Sequence, residues 1–111
     1  MVTLKYKPMQ YDWKKYEDKL KALREFLEKA DALSPEVEAK LYLPGEEGAE
    51  KDAKVPYILL CYYTKENVCH KRKIELFEYY LQEDLKDLIS KITSMAEEFA
   101  MEIEHSEYGG G

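Results

Sequence analysis

Apolar positions recur along this chain first with a helical spacing, then with strand alternation, then with a helical spacing again. Trp13, Tyr16, Leu20, Leu23, Leu27 and Ala30 step by three and four residues. That spacing stacks them on one face of an α-helix. Phe26 and Leu33 widen the stripe, and Glu17–Lys21 and Glu25–Lys29 are oriented as supporting ion pairs on the wet side. Asp12 stands at the N-cap position, with Tyr11 and Tyr16 placed to form a hydrophobic staple. Pro35 disfavours helical geometry at Ser34 and predicts the end of this helix there. A second stripe runs through Leu85, Leu88, Ile92, Met95 and Phe99, with Ile89, Ala96 and Ile103 beside it. Glu83 and Asp84 suit the positive N-terminus of that helix.

Between the stripes the period changes to two. Val37, Ala39, Leu41 and Leu43 alternate with Glu36, Glu38, Lys40 and Tyr42, which reads as a strand wet on one side. Ser34-Pro35-Glu36 also has the form of a helix start, and the unbroken alternation favours the strand. Pro44 to Asp52 has the glycine, proline and charge content of a mobile surface loop. Val55 to Thr64 is apolar on both faces, as a central strand is, with Pro56 near its start. Lys65-Glu66-Asn67 makes a turn, and Val68 to Tyr80 returns as a third strand. Val2, Leu4 and Tyr6 alternate with polar residues as far as Pro8 and offer a further, N-terminal strand.

The predicted order is therefore (β)αβββα. We expect a small single α+β domain over residues 1–105, an antiparallel three-stranded meander with two amphipathic helices on one face, and an optional fourth strand at the N-terminus. Residues 106–111, ending in three glycines, read as a disordered tail.

Composition narrows the class. With 45% hydrophobic and 36% charged residues among 111, the chain can fold and bury one modest core. No apolar run approaches the length of a membrane helix, and the first residues lack the apolar core of a signal peptide. A cytoplasmic protein without a membrane partner is expected. Glu and Lys dominate the polar residues while Asn occurs only at position 67 and Gln only at 10 and 82, a thermophile-like bias. The net charge of −6 is concentrated after Gln82 and argues against general binding to a phosphate backbone.

Candidate chemistry is sparse. Cys61, Cys69, His70 and His105 are the only soft ligands, and their spacing is not that of a zinc site, so no metal and no cofactor are expected. A buried thiol at Cys61 and an ordinary edge residue at Cys69 form one reading, and a disulfide between them the other. No nucleophile, base and oxyanion-hole pattern points to catalysis, so the chain reads as a non-enzymatic protein. His70-Lys71-Arg72-Lys73 is the single basic cluster. Lys40, Lys71 and Lys73 with Tyr42 and Tyr62 could form a cationic, aromatic sheet face for a nucleic acid.

Two helices can cover only one face of the sheet, and the central strand is apolar on both. Ile58, Leu60 and Tyr62, with Tyr42, Phe77 and Tyr79, are therefore expected to need an outside cover. Glu97, Glu98, Glu102 and Glu104 crowd what reads as the C-terminal end of the second helix, where the dipole disfavours acids, and form a second candidate surface. The expected function is a small interaction or regulatory protein that binds a protein partner and self-associates as a homodimer, with nucleic-acid binding as the alternative.

Overall fold

The computed structural model describes residues 11–29, 32–33, 36–64 and 68–109. A 3-10 turn at Trp13–Tyr16 leads into α1 (Glu17–Leu27). The sheet follows as β1 (Val37–Tyr42), β2 (Tyr57–Tyr63) and β3 (Cys69–Glu75). A short helix α2 (Glu78–Leu81) and the long α3 (Leu85–Gly109) complete the chain. The sheet is antiparallel in the order β1-β2-β3, so the domain is the expected α+β meander with helices packed on it. The optional N-terminal strand, Ala30 and Pro35 lie outside the described residues. Among the described residues no helix is long and apolar enough to cross a membrane.

Register decides which side chains face the helices. Leu41 pairs with Ile58, Ala39 with Leu60 and Val37 with Tyr62. Across the other seam Ile58 pairs with Ile74, Leu60 with Arg72 and Tyr62 with His70. These side chains share one face, because pleating sends alternate residues to the same side. Leu20, Leu23 and Leu27 of α1 and Leu88, Ile92, Ala96 and Phe99 of α3 close over that face to form a single core. Leu23, Ile58, Leu60, Leu76, Leu81 and Leu88 have no exposed surface. Each such leucine or isoleucine stabilises the fold by roughly 1.5–3 kcal/mol through burial.

The structure revises five boundary or placement expectations. Ile58, Leu60 and Tyr62 are core residues, exposed by 0%, 0% and 7%, and need no outside cover. A shift of one residue exchanges the faces of a strand, and a segment apolar on both sides carries no parity signal of its own. The strand expected to reach Tyr80 stops at Glu75. Leu76 and Leu81 are both buried, and a strand would send two residues five apart to opposite faces, whereas the turn of α2 brings both inward. Tyr79 thereby leaves the sheet, and Phe77 becomes the residue before α2.

α1 ends at Leu27, short of the expected Ser34, because Glu28 N–H and Lys29 N–H close a terminal turn on Arg24 O and Phe26 O. The early exit still leaves Leu33 in the core. Asp12 makes no side-chain cap, although the Tyr11 and Tyr16 rings do meet edge to face at 6.2 Å. α3 continues through Gly109, beyond the expected boundary at residue 105, since Ser106, Glu107 and Tyr108 contain no helix breaker.

Candidate functional site

The sheet face turned away from the helices carries Glu38, Lys40 and Tyr42 from β1, Tyr57, Leu59, Cys61 and Tyr63 from β2, and Cys69, Lys71, Lys73 and Glu75 from β3. One end of it is roofed by the chain from Leu43 to Pro56. Tyr42 and Tyr57 stack with centroids 5.3 Å apart, and Glu50 N–H donates to the Tyr57 hydroxyl at 2.9 Å. Lys73 lies 5.4 Å from the Tyr57 ring and donates to Glu50 Oε1 at 2.9 Å. That bond to Glu50 raises the Lys73 pKa above the ordinary lysine value. Gly48 (φ +91°) sits against this stack, where a Cβ would stand 3.3 Å from Cε1 of Tyr42. The loop expected to be mobile is thus fastened to the sheet at several points.

Cys61 and Cys69, diagonal neighbours on this face, are joined by a disulfide. This corrects the reading of a free buried thiol at Cys61. The register fixes Cys61 opposite Lys71 and Tyr63 opposite Cys69. The cysteine Cα atoms therefore come to 5.6 Å, within disulfide reach.

Of the nucleic-acid candidates, Lys40, Lys71 and Lys73 do share the outer face with Tyr42, but Tyr62 does not. Glu38, Glu50 and Glu75 stand among the lysines, so the face is of mixed charge. Phe77 stacks instead with Tyr80, and its ring lies 6.0 Å from that of Tyr79. Burial, and then a hydrogen bond with Tyr79, pushes the Tyr80 pKa up to about 12.

The acidic candidates divide. Glu102 accepts from Arg72 Nη2 at 2.6 Å, and Arg72 lies 5.0 Å from the centre of the Phe99 ring. Glu104 accepts from the Tyr62 hydroxyl at 2.8 Å. Both fasten α3 to the sheet. Glu97 and Glu98 remain exposed on α3. With the helix running to Gly109, all of these acids lie a turn or more before its end, where the dipole has faded.

The feature that the sequence did not single out is the outer edge of β1. Tyr63 N–H donates to Glu36 O, which fixes the phase of the β1–β2 ladder. Glu36, Glu38, Lys40 and Tyr42 then turn their main-chain groups to β2, and Val37, Ala39 and Leu41 turn theirs outward. At one end the edge is closed by side chains. Arg24 Nη2 donates to Leu41 O at 2.7 Å and to Glu46 Oε1 at 2.6 Å, and Leu43 N–H donates to the same Glu46 oxygen at 2.9 Å. The hydrogen bond from Arg24 holds the Glu46 pKa below the ordinary glutamate value.

Toward Val37, among the described residues, no strand pairs with the edge. A groove of about 840 Å³ wraps around this edge, with Leu27, Leu33 and Leu41 on its helix side and Leu59 on its outer side. A signal for this site was present in Glu38-Ala39-Lys40, a short alternating strand with a small central residue. Only the pairing order shows that it is an edge. No family model matches this chain, and no curated protein or solved structure matches it.

Proposed function

We propose that this chain is a small, non-enzymatic interaction protein that takes a protein partner by strand addition at β1. The observation that carries the reading is the outward-facing main chain of Val37 and Ala39 beside the groove. An unpaired edge is a template for another extended chain, with main-chain hydrogen bonds supplying affinity and neighbouring pockets supplying selectivity. The closure of the Leu41 end by Arg24 and Glu46 limits the exposed ladder, as edge-protecting devices do, and leaves a short segment open.

The test is a selection of random displayed peptides against the purified chain and against Ala39→Pro. Proline removes the outward donor at 39 and is tolerated on an edge. The wild type should enrich extended, β-branched peptides, and their binding should fall at least about tenfold in Ala39→Pro while its melting temperature stays within a few degrees. Equal binding to both chains would remove the edge from consideration.

A second reading, nucleic-acid binding at the outer face, draws support from the shared placement of Lys40, Lys71, Lys73 and Tyr42. The negative total charge and the Lys73–Glu50 pair weigh against it.

A further inference from the structure

We infer that the occupant of the β1 edge is a second copy of this chain, paired antiparallel to the first about a twofold axis through Ala39. The inference rests on the strand-addition reading and names its partner.

The argument is one of register and charge. Ala39 turns both of its main-chain groups outward. An antiparallel partner centred on it therefore forms a hydrogen-bonded Ala39–Ala39 pair on the axis. Val37 of each copy then stands opposite Leu41 of the other on the helix side; Leu41 O already accepts from Arg24 Nη2, so the main-chain bonds nearest the axis are those of the Ala39 pair. On the outer face Glu38 of each copy meets Lys40 of the other, twice by symmetry. Within its own sheet Glu38 stands opposite Cys61 and Lys40 opposite Leu59, so neither meets an opposite charge across the β1–β2 seam. Both are exposed. The twofold register supplies the opposite charge to all four side chains at once. Moving the centre by one residue in either direction places Glu38 or Lys40 on the axis, against its own like charge, and turns outward a residue whose main chain already serves β2. Moving it by two, to Val37 or Leu41, takes Glu38 and Lys40 out of mutual register. An isologous contact of this kind closes on itself and gives a dimer with one continuous sheet rather than a fibre. Ala39, lacking bulk, allows the close main-chain approach that the axis requires.

The test is charge exchange. Sedimentation velocity across a concentration series should give wild-type chain at twice its 13.1 kDa mass. Glu38→Lys should be weakened in self-association by about tenfold or more, since both cross-pairs become like-charged. Lys40→Glu should behave in the same way. An equimolar mixture of the two variants should recover the dimer, because the copy with two cations at these positions then meets the copy with two carboxylates. Both positions are exposed, so melting curves taken at a dilution where the wild type is monomeric should be unchanged, while at higher concentration the wild type alone should gain thermal stability. Amide hydrogen exchange at Ala39 in the full wild-type chain should slow as concentration rises.

Several outcomes overturn the inference. One is a wild type that stays monomeric at millimolar concentration, including one whose Ala39 amide is protected at every concentration by another segment of the same chain. Another is a dimer indifferent to both charge changes, and a third is a mixture that stays monomeric. Strand addition itself fails separately: if Glu38→Lys and the wild type are both monomeric yet select peptides that Ala39→Pro does not, the edge stands and only the second copy is excluded.

Discussion

Leu60 occupies the middle of the central strand, opposite Ala39 on one side and Arg72 on the other, with no exposed surface. Its truncation to alanine should cost about 2–5 kcal/mol, from lost burial together with the cavity left behind. Leu60→Glu would bury a carboxylate in the core opposite Arg72, whose guanidinium is already engaged by Glu102, and should leave the chain largely unfolded at neutral pH. Circular dichroism checks both. A folded, soluble Leu60→Glu chain would return this residue to the surface and overturn the register. Arg24 and Glu46 make the second residue-scale case. The folded-state pKa of Glu46 is lowered, first by the hydrogen bond from Arg24 and further by Leu43 N–H, while partial burial opposes. A lowered carboxylate contributes stability that is complete above its unfolded value, about 4.3, and is lost as pH falls through the folded value. With side chains about 30% exposed, the pair contributes no more than about 1 kcal/mol. Glu46→Gln should therefore lower stability slightly at pH 7 and lie closer to the wild type at pH 3. Denaturant melts at the two pH values check the sign.

At the scale of elements, the β2–β3 hairpin is closed by the Cys61–Cys69 disulfide, eight residues apart. A loop of this size loses about 2–3 kcal/mol of chain-closure restraint when the link is cut, on the chain-entropy account. Cys61→Ser with Cys69→Ser should lower the thermal midpoint accordingly, and the denatured, unreduced wild type should show no free thiol in a titration. The attachment of α3 to the sheet depends on polar tips over an apolar seam. Tyr62 is buried, meets the Phe99 ring edge to face at 6.5 Å, and carries its hydroxyl out to Glu104. Tyr62→Phe and Glu104→Ala should each cost about 0.5–1.5 kcal/mol. The double variant should cost less than their sum, since one bond is shared. Full additivity would mean that the bond does not hold α3. Glu97→Gln with Glu98→Gln, in exposed mid-helix positions, should change stability by less than about 0.5 kcal/mol.

For the whole molecule, helices close one face of the sheet while the 43–56 segment roofs part of the other. The exposed outer face is of mixed charge. At a net charge of −6 the folded chain should not be retained on heparin at physiological salt. Retention that weakens in Lys40→Ala with Lys71→Ala would favour the nucleic-acid reading over the edge. The helices, the strand at Glu36–Leu43 and the order of elements were legible in the sequence, because burial on one side writes its period into the chain. Tyr57 to Tyr63 left no such record. Buried on one side by helices and partly on the other by a loop, it is apolar throughout, and only pairing with β1 and β3 decides which of its residues form the core. The early end of α1 and the turn at α2 were likewise set by where Leu33, Leu76 and Leu81 had to reach. The β1 edge was hidden for a different reason. Whether a strand is central or terminal depends on what lies beside it, and side-chain alternation is the same in both cases. Local periodicity thus determined the elements, and tertiary pairing alone decided which main-chain groups were left facing outward.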